Sequence, residues 1–209
     1  KLRPEHYLVK TIVTSELIRK MADAQGVTLT DEYTGFKWIA NRIREWEGTR
    51  KYIGGGEESF GFLPYDAVRD KCSPSAICLI CEIAAYAKDN GMTLYDYLLQ
   101  IYAEYGFQRE TTINVVRPGK TGAEEIQAMM LNFRTNAPQE IAGEKVVKVK
   151  DFKTLIQREL INGEWVETPI EMALGATSNV LQYFAENGLK ASVRPSGTEP
   201  KIKFYFEIP

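Results

Sequence analysis

Short apolar runs and stretches of helical period take turns along the first hundred residues. Leu8 to Val13 is a run bounded by polar residues and reads as a strand. Ser15 to Gln25 reads as a helix, with Ser15 as its N-cap and Gly26 just past its end. Val27 to Leu29 starts a second strand, and Phe36 to Trp46 a second helix. Lys51 to Ile53 gives a third strand running into a glycine-rich turn, Gly54-Gly55-Gly56. This alternation predicts an α/β layered unit with a mixed, partly parallel sheet. From Ser75 to Ala87, Ala76, Leu79, Ile80, Ile83 and Ala84 recur at helical spacing before Asn90-Gly91. Thr93-x-x-Asp96 opens the next helix as a capping box. Leu94, Tyr97, Leu98, Ile101, Tyr102 and Tyr105 line one face of it, a stripe that reads as core, and Gly106 ends it.

After Gly106 the texture changes. Thr112 to Val116 reads as a strand, and Thr121-x-x-Glu124 caps a helix carrying Ile126, Met129, Met130 and Phe133. Val146 to Val149 alternates with lysines as a half-exposed strand, and Trp165-Val166 and Leu189 to Val193 read as members of an antiparallel meander. Ile202, Phe204, Phe206 and Ile208 alternate with Lys203, Tyr205 and Glu207, which predicts one buried and one exposed sheet face. The expected organisation is an α/β domain over residues 1–108, followed by a smaller α+β domain with an antiparallel sheet over 109–209.

Composition narrows the class. The 209 residues are 44% hydrophobic and 26% charged, ordinary globular usage that excludes collagen-like, disordered and coiled-coil chains. A net charge of −2 gives no global field for nucleic acid or anionic membranes, and no apolar run is long enough to span a bilayer. Cys72, Cys78 and Cys81 lie close together, but with no second Cys-x-x-Cys pair and one histidine, His6, far off in sequence, a zinc site lacks ligands. They read as reduced cysteines packed as small apolar residues, which fits a cytoplasmic protein.

Three loops have the makings of chemistry. In Gly54-Gly55-Gly56-Glu57-Glu58-Ser59-Phe60-Gly61, glycines allow close backbone approach, and the carboxylates and hydroxyl suit sugar hydroxyl groups. In Arg194-Pro195-Ser196-Gly197-Thr198-Glu199-Pro200-Lys201, the arginine fork, two hydroxyls and a glycine suit phosphate, and two prolines stiffen the loop in advance. Lys203 lies on the same strand face as Lys201 and within reach of the same anion. Thr34-Gly35-Phe36-Lys37 enters a helix, where backbone amides favour anions or hydroxyls. In Arg69-Asp70-Lys71, Lys71 suits a phosphate contact or proton donation; a surface salt bridge is the plain alternative. Gly119-Lys120-Thr121 is not a P-loop, because Asn114 stands where the earlier glycine is required. Glu57 and Glu58, neighbours on an extended loop, point apart and cannot flank one glycosidic bond.

Taken together, the Gly56-to-Gly61 and Arg194-to-Pro200 motifs closely resemble those of the phosphohexomutases, the phosphoglucomutases and phosphomannomutases. Thr34-to-Lys37 and Arg69-to-Lys71 match that family in order and spacing, so the resemblance covers nearly the whole chain. It implies a four-domain enzyme of which this chain resembles domains three and four. It also implies a phosphoserine nucleophile and a magnesium-binding Asp loop in N-terminal domains, neither of which has a counterpart here. By position, Glu57 and Ser59 would grip sugar hydroxyls, with Thr34 and Gly35 beside the sugar. Arg194, Ser196, Gly197 and Thr198 would bind the substrate's phosphate with help from Lys203, and Lys71 would lie near the reacting groups. Relatives often read Asp-Lys-Asp-Gly where this chain has Asp70-Lys71-Cys72-Ser73. The implied partners are a hexose phosphate (glucose favoured, mannose or pentose phosphate as alternatives) and the N-terminal domains. In the full-length enzyme, Mg2+ and a hexose 1,6-bisphosphate activator are implied, with no metal ligand in this chain. Alone the chain is expected to be inactive; the competing reading is a stand-alone phosphosugar-binding module.

Overall fold

Apolar side chains gather in two separate cores. Tyr7, Val9, Phe36, Ile39, Ile43, Tyr52 and Leu63 form one, and Ile126, Met130, Val146, Val149, Leu181, Tyr183, Val193 and Ile202 the other. The chain accordingly divides into two compact units, Lys1–Gln108 and Arg109–Pro209. The structure, a computed structural model, describes all residues but Lys1, Ala173, Leu174 and Thr198, and for Lys120 the backbone alone.

The first unit runs β1 (His6–Thr11), α1 (Leu17–Ala24), β2 (Thr28–Glu32), α2 (Phe36–Glu45), β3 (Lys51–Glu57), β4 (Gly61–Leu63), α3 (Ser73–Asp89) and α4 (Leu94–Tyr105). The sheet order is β2-β1-β3-β4, parallel across the first three strands and antiparallel at β4. Helical crossovers between parallel strands put the C-terminal ends of β1, β2 and β3 on one edge, where α/β sheets usually bind ligands. Those ends are Thr11, Glu32 and Glu57.

The glycine triplet is not a turn. Gly54, Gly55 and Gly56 continue β3 and pair with Leu8, Val9 and Lys10 of β1. A Cβ on Gly55 would lie 2.2 Å from the Val9 carbonyl oxygen, so glycine is needed here for close approach rather than for bending. Helix α1 likewise begins after Glu16, with the Ser15 hydroxyl accepting from the Leu17 N–H at 3.1 Å. The Thr93–Asp96 capping box forms in both directions. The α4 stripe, in contrast, is not core. No residue of α4 is buried, and Leu94 and Leu98 are exposed. Helix α3 packs against β4 and α4, with Tyr86 meeting Tyr97 at 5.7 Å, and still leaves Ile77 and Ile80 exposed. Cys78 and Cys81 on α3 are exposed rather than packed, and Cys72 is half-buried.

The second unit contains β5 (Arg109–Val116), α5 (Gly119–Thr135), β6 (Glu140–Ile141), β7 (Glu144–Asp151), β8 (Ile156–Ile161), β9 (Glu164–Pro169), β10 (Leu181–Ala185), β11 (Lys190–Pro195) and β12 (Lys201–Ile208). The main sheet, β5-β12-β11-β10-β7-β8-β9, is antiparallel throughout. Helix α5 lays Ile126 and Met130 on one face of it. It starts at Gly119 with Pro118 at the N-cap, so Thr121 lies inside the first turn rather than capping it.

The expected alternation along β12 also gives way. Ile202 is buried, but so are Tyr205 and Glu207, while Ile208 is exposed. The second face is a buried polar layer. The Gln182 amide donates to the Ser192 hydroxyl at 2.9 Å, and Lys190 Nζ lies 2.8 Å from Glu207 Oε2 with both side chains almost fully covered. Pairing is what makes burial of such groups tolerable.

Candidate functional site

At the C-terminal edge of the parallel strands, two of the loops read from sequence meet. Glu57 ends β3, and its Oε2 accepts the Gly35 N–H at 3.0 Å. Gly35 is the N-cap of α2 with φ 108°, a conformation open to glycine and strained for other residues. The Glu57 carboxylate thus takes up one of the N–H groups that a helix start leaves unpaired, on the favourable side of the helix dipole. Thr34 immediately precedes Gly35 between β2 and α2, half-buried.

Glu58 turns to a different partner. Its Oε2 lies 3.4 Å from Thr11 Oγ1 and 3.3 Å from Thr14 Oγ1, and the two hydroxyls are 2.8 Å apart. Beside them Lys10, buried at the end of β1, donates to the Thr14 carbonyl at 3.1 Å. Its charge is balanced by Glu16 at 3.1 Å and Asp31 at 2.9 Å. Beyond these anchors Ser59 is exposed and Phe60 is fully out in solvent, with Phe60 at φ 58°. Glu57, Glu58, Phe60 and the Gly55-Gly56 backbone line a cavity of 270 Å³.

Lys71 lies just before α3. Its Nζ is 3.2 Å from Asp70 Oδ1 and 5.8 Å from the Phe36 ring centre. The Lys71 N–H and ammonium together hold the Asp70 carboxyl below the usual carboxylate range. With Phe60 and Phe62, Lys71 lines a second cavity of 490 Å³, so Phe60 borders both spaces.

In the second unit, Arg194 of β11 and Lys203 of β12 are direct cross-strand partners at the turn end of a hairpin, one pair below Pro195 and Ile202. Its turn is tied by its own backbone: the Ser196 N–H donates to the Lys201 carbonyl at 2.8 Å, and the Arg117 N–H to the Pro200 carbonyl at 2.8 Å. The Glu199 N–H donates to the Ser196 hydroxyl at 3.3 Å, and Glu199 pairs with Lys201. A Cβ on Gly197 would meet nothing within 4 Å, so this backbone faces open space. Thr198 lies outside the described residues.

Comparison with known proteins now bears directly on these loops. Residues 1–105 match the family description "Phosphoglucomutase/phosphomannomutase, alpha/beta/alpha domain III", and residues 113–209 match its C-terminal domain. The chain belongs to the phosphoglucomutase/phosphomannomutase family. It is 37% identical over 207 residues to a phosphoglucomutase of Staphylococcus haemolyticus, covering 98% of this chain and 36% of that protein. A phosphoglucomutase of Staphylococcus aureus strain MRSA252 is 36% identical over 203 residues, covering 96% of this chain and 35% of its own. The chain therefore spans about a third of the length of the curated relatives it matches. In fold it is similar to the Paramecium phosphoglucomutase pp63/parafusin in its open form, with TM-score 0.64, 20% identity, and coverage of 96% of this chain and 32% of that one.

Within this phosphoglucomutase/phosphomannomutase pair of domains, the residues read from sequence fall into two groups. Thr34, Gly35, Glu57, Ser59 and Lys71 belong to domain III, and Arg194, Ser196, Gly197 and Lys203 to the C-terminal domain. Sequence reading missed Lys10, Thr11 and Thr14. The available signal was a Lys-Thr pair and a second threonine closing an otherwise apolar run, where a buried strand end needs a reason to be polar.

Proposed function

We propose that this chain supplies the sugar- and phosphate-gripping domains of a phosphoglucomutase acting on a hexose phosphate, glucose phosphate before mannose or pentose phosphate. The observation that carries the reading is the pairing of Arg194 with Lys203, which sets two cationic residues directly opposite each other on neighbouring strands, at the mouth of a turn with an open glycine. In this reading Arg194 and Lys203 hold the phosphate, with Ser196, Thr198 and the Gly197 backbone completing the cradle. Glu57 and Ser59 accept from and donate to sugar hydroxyls, Thr34 and Gly35 border the sugar, and Lys71 approaches the reacting end. The preference for glucose rests on the Glu-Glu-Ser-Phe-Gly form of the loop and on the relatives being named phosphoglucomutases.

The reaction is phosphoryl exchange. A phosphoserine elsewhere in the full-length protein gives its phosphoryl group to the free hydroxyl of a hexose 1- or 6-phosphate, forming a bisphosphate. After the sugar turns round, the other phosphoryl group returns to the serine. The part of these two domains is positional: both orientations present a phosphate and a set of hydroxyls, and the two loops receive them in turn. Magnesium would neutralise charge on the transferring group. Among the described residues no group of three or more His, Cys, Asp and Glu side chains could hold a metal ion, so no step assigned to this chain runs through it. No helix among the described residues is long and apolar enough to cross a membrane.

Isothermal titration of the chain with glucose 1-phosphate, glucose 6-phosphate and mannose 1-phosphate tests the reading. Weak binding that Arg194→Ala reduces about thirtyfold is the expected result. Binding undiminished by Arg194→Ala, or mutase turnover by the purified chain alone, would overturn it.

A further inference from the structure

We propose that Thr11 and Thr14 are positioning residues that hold Glu58 as a brace, so that of the two adjacent carboxylates only Glu57 serves the site. The proposal rests on the sugar-loop reading above and says how that loop is kept in shape. An exposed acid in a glycine-rich loop is ordinarily just solvated. Here the partners of Glu58 are what matter: Thr11 is completely buried and Thr14 nearly so, and their hydroxyls lie 2.8 Å apart. Two hydroxyls in contact share one proton between them. Whichever donates to the other, the remaining proton is left for Glu58 Oε2, which sits 3.4 Å and 3.3 Å from the two oxygens. Donation along such a chain polarises it toward the carboxylate.

Thr14 is itself held. Lys10 Nζ donates to its carbonyl at 3.1 Å, and its N–H donates to the Thr11 carbonyl at 2.9 Å. The turn after β1 is thereby locked to the strand, and Glu58 ties the acidic loop to that turn. Glu57, one residue earlier, ties the same loop to the start of α2 through Gly35. The two anchors pull in different directions on consecutive residues, which fixes the path of the chain into Ser59 and Phe60. A loop fixed in advance has less freedom to lose when a sugar arrives.

The test follows amide hydrogen exchange of residues 57–61 and chymotrypsin nicking at the exposed Phe60, in the 209-residue chain. Glu58→Ala, at an exposed position, and Thr11→Val/Thr14→Val are expected to raise exchange and nicking about tenfold. Glu58→Gln, whose amide oxygen still accepts, and Thr14→Ser are expected to stay within about twofold of the parent chain. Unfolding of the first unit in urea, followed by Trp38 and Trp46, shows that the variants fold. Should Thr11→Val/Thr14→Val fail to fold, Glu58→Ala and Glu58→Gln decide the matter. Unchanged exchange in Glu58→Ala, or equal loosening by Glu58→Ala and Glu58→Gln, would overturn the brace. A parallel titration with glucose 1-phosphate separates the two readings. Failure of the parent chain to bind counts against the sugar site, whereas the exchange measurement judges the brace without any ligand.

Discussion

The two loops assigned to substrate are held in place by opposite means. The acidic loop of the first unit is anchored by side chains: Glu57 reaches the start of α2, Glu58 reaches two threonines, and the β3 glycines beneath it are pressed against β1. The 195–201 loop of the second unit is anchored by its own backbone and by the hairpin it closes. Both loops close antiparallel hairpins, with Glu57 opposite Gly61 and Pro195 opposite Ile202. The acidic loop also lies at the C-terminal edge of parallel strands, where the start of α2 and the turn after β1 offer partners to its side chains. Substitutions should therefore be felt in different places in the two units.

The largest expected effect is at the base of the hairpin. Lys190 and Glu207 form a buried pair across β11 and β12, and Glu207→Ala should destabilise the second unit by about 4 kcal/mol by removing the carboxylate that neutralises a buried ammonium. Lys190→Met/Glu207→Leu should restore most of that loss, and denaturant unfolding followed by Trp165 reads both. If the double variant is as unstable as the single one, the polar layer does more than neutralise itself.

Next comes a paired glycine test. Gly55→Ala forces a Cβ to 2.2 Å from a strand carbonyl and should remove about 3 kcal/mol from the first unit. Gly197→Ala, into open space, should change stability by less than about 0.5 kcal/mol. Urea titrations of both variants check this; equal effects would erase the contrast between the loops. Smaller again is the binding effect of Arg194→Ala, about 2 kcal/mol or thirtyfold in phosphate affinity, with unchanged unfolding. Calorimetry and a melting curve on the same sample would separate affinity from stability.

The smallest effect is in pH dependence, where the units should move in opposite senses. Burial raises the Glu32 carboxyl above its ordinary value, and the Arg42 guanidinium at 2.6 Å only partly offsets this. Its folded state holds a proton more tightly than the unfolded chain, so its contribution is full below the ordinary carboxylate range and fades as pH rises through the raised value. Asp151 is the reverse. Burial would raise it, but the Arg134 guanidinium and the Lys153 N–H outweigh burial and hold it below the usual range. Its contribution is present above the ordinary carboxylate range and is lost as pH falls through the depressed value. Mild acidification should thus stabilise the first unit before stronger acid weakens the second. Unfolding curves at several pH values, with Glu32→Gln and Asp151→Asn each flattening one trend, give the check.

How much of this was legible in the residues depended on whether a feature was local. The Thr93–Asp96 capping box formed because its donors and acceptors lie within one helical turn. The helices and the three parallel strands of the first unit were readable from their periods, whereas the three-residue β4 was too short to show one. The glycine triplet misled because three glycines read as a turn when nothing in the chain shows that Val9 will lie against them. Polar residues on β12 misled similarly. Glu207 becomes buried only because Lys190 comes to lie opposite it, seventeen residues earlier in sequence. Helix α4 erred in the other direction: an apolar stripe states that a surface wants cover, but not whether this chain supplies it.

The sequence by itself determined helices α1 to α5 and most strands in their order, though not β4, β6, β8 and β10, together with the mixed and antiparallel sheet classes, the motifs of the two loops and, through them, the family. These follow from period, turn chemistry and residue type, all of which are properties of short windows. Tertiary structure alone decided that Glu57 meets Gly35 while Glu58 meets Thr11 and Thr14, and that Arg194 faces Lys203. Such contacts join residues 9 to 47 positions apart, and their geometry is set by sheet register and crossover rather than by anything written locally.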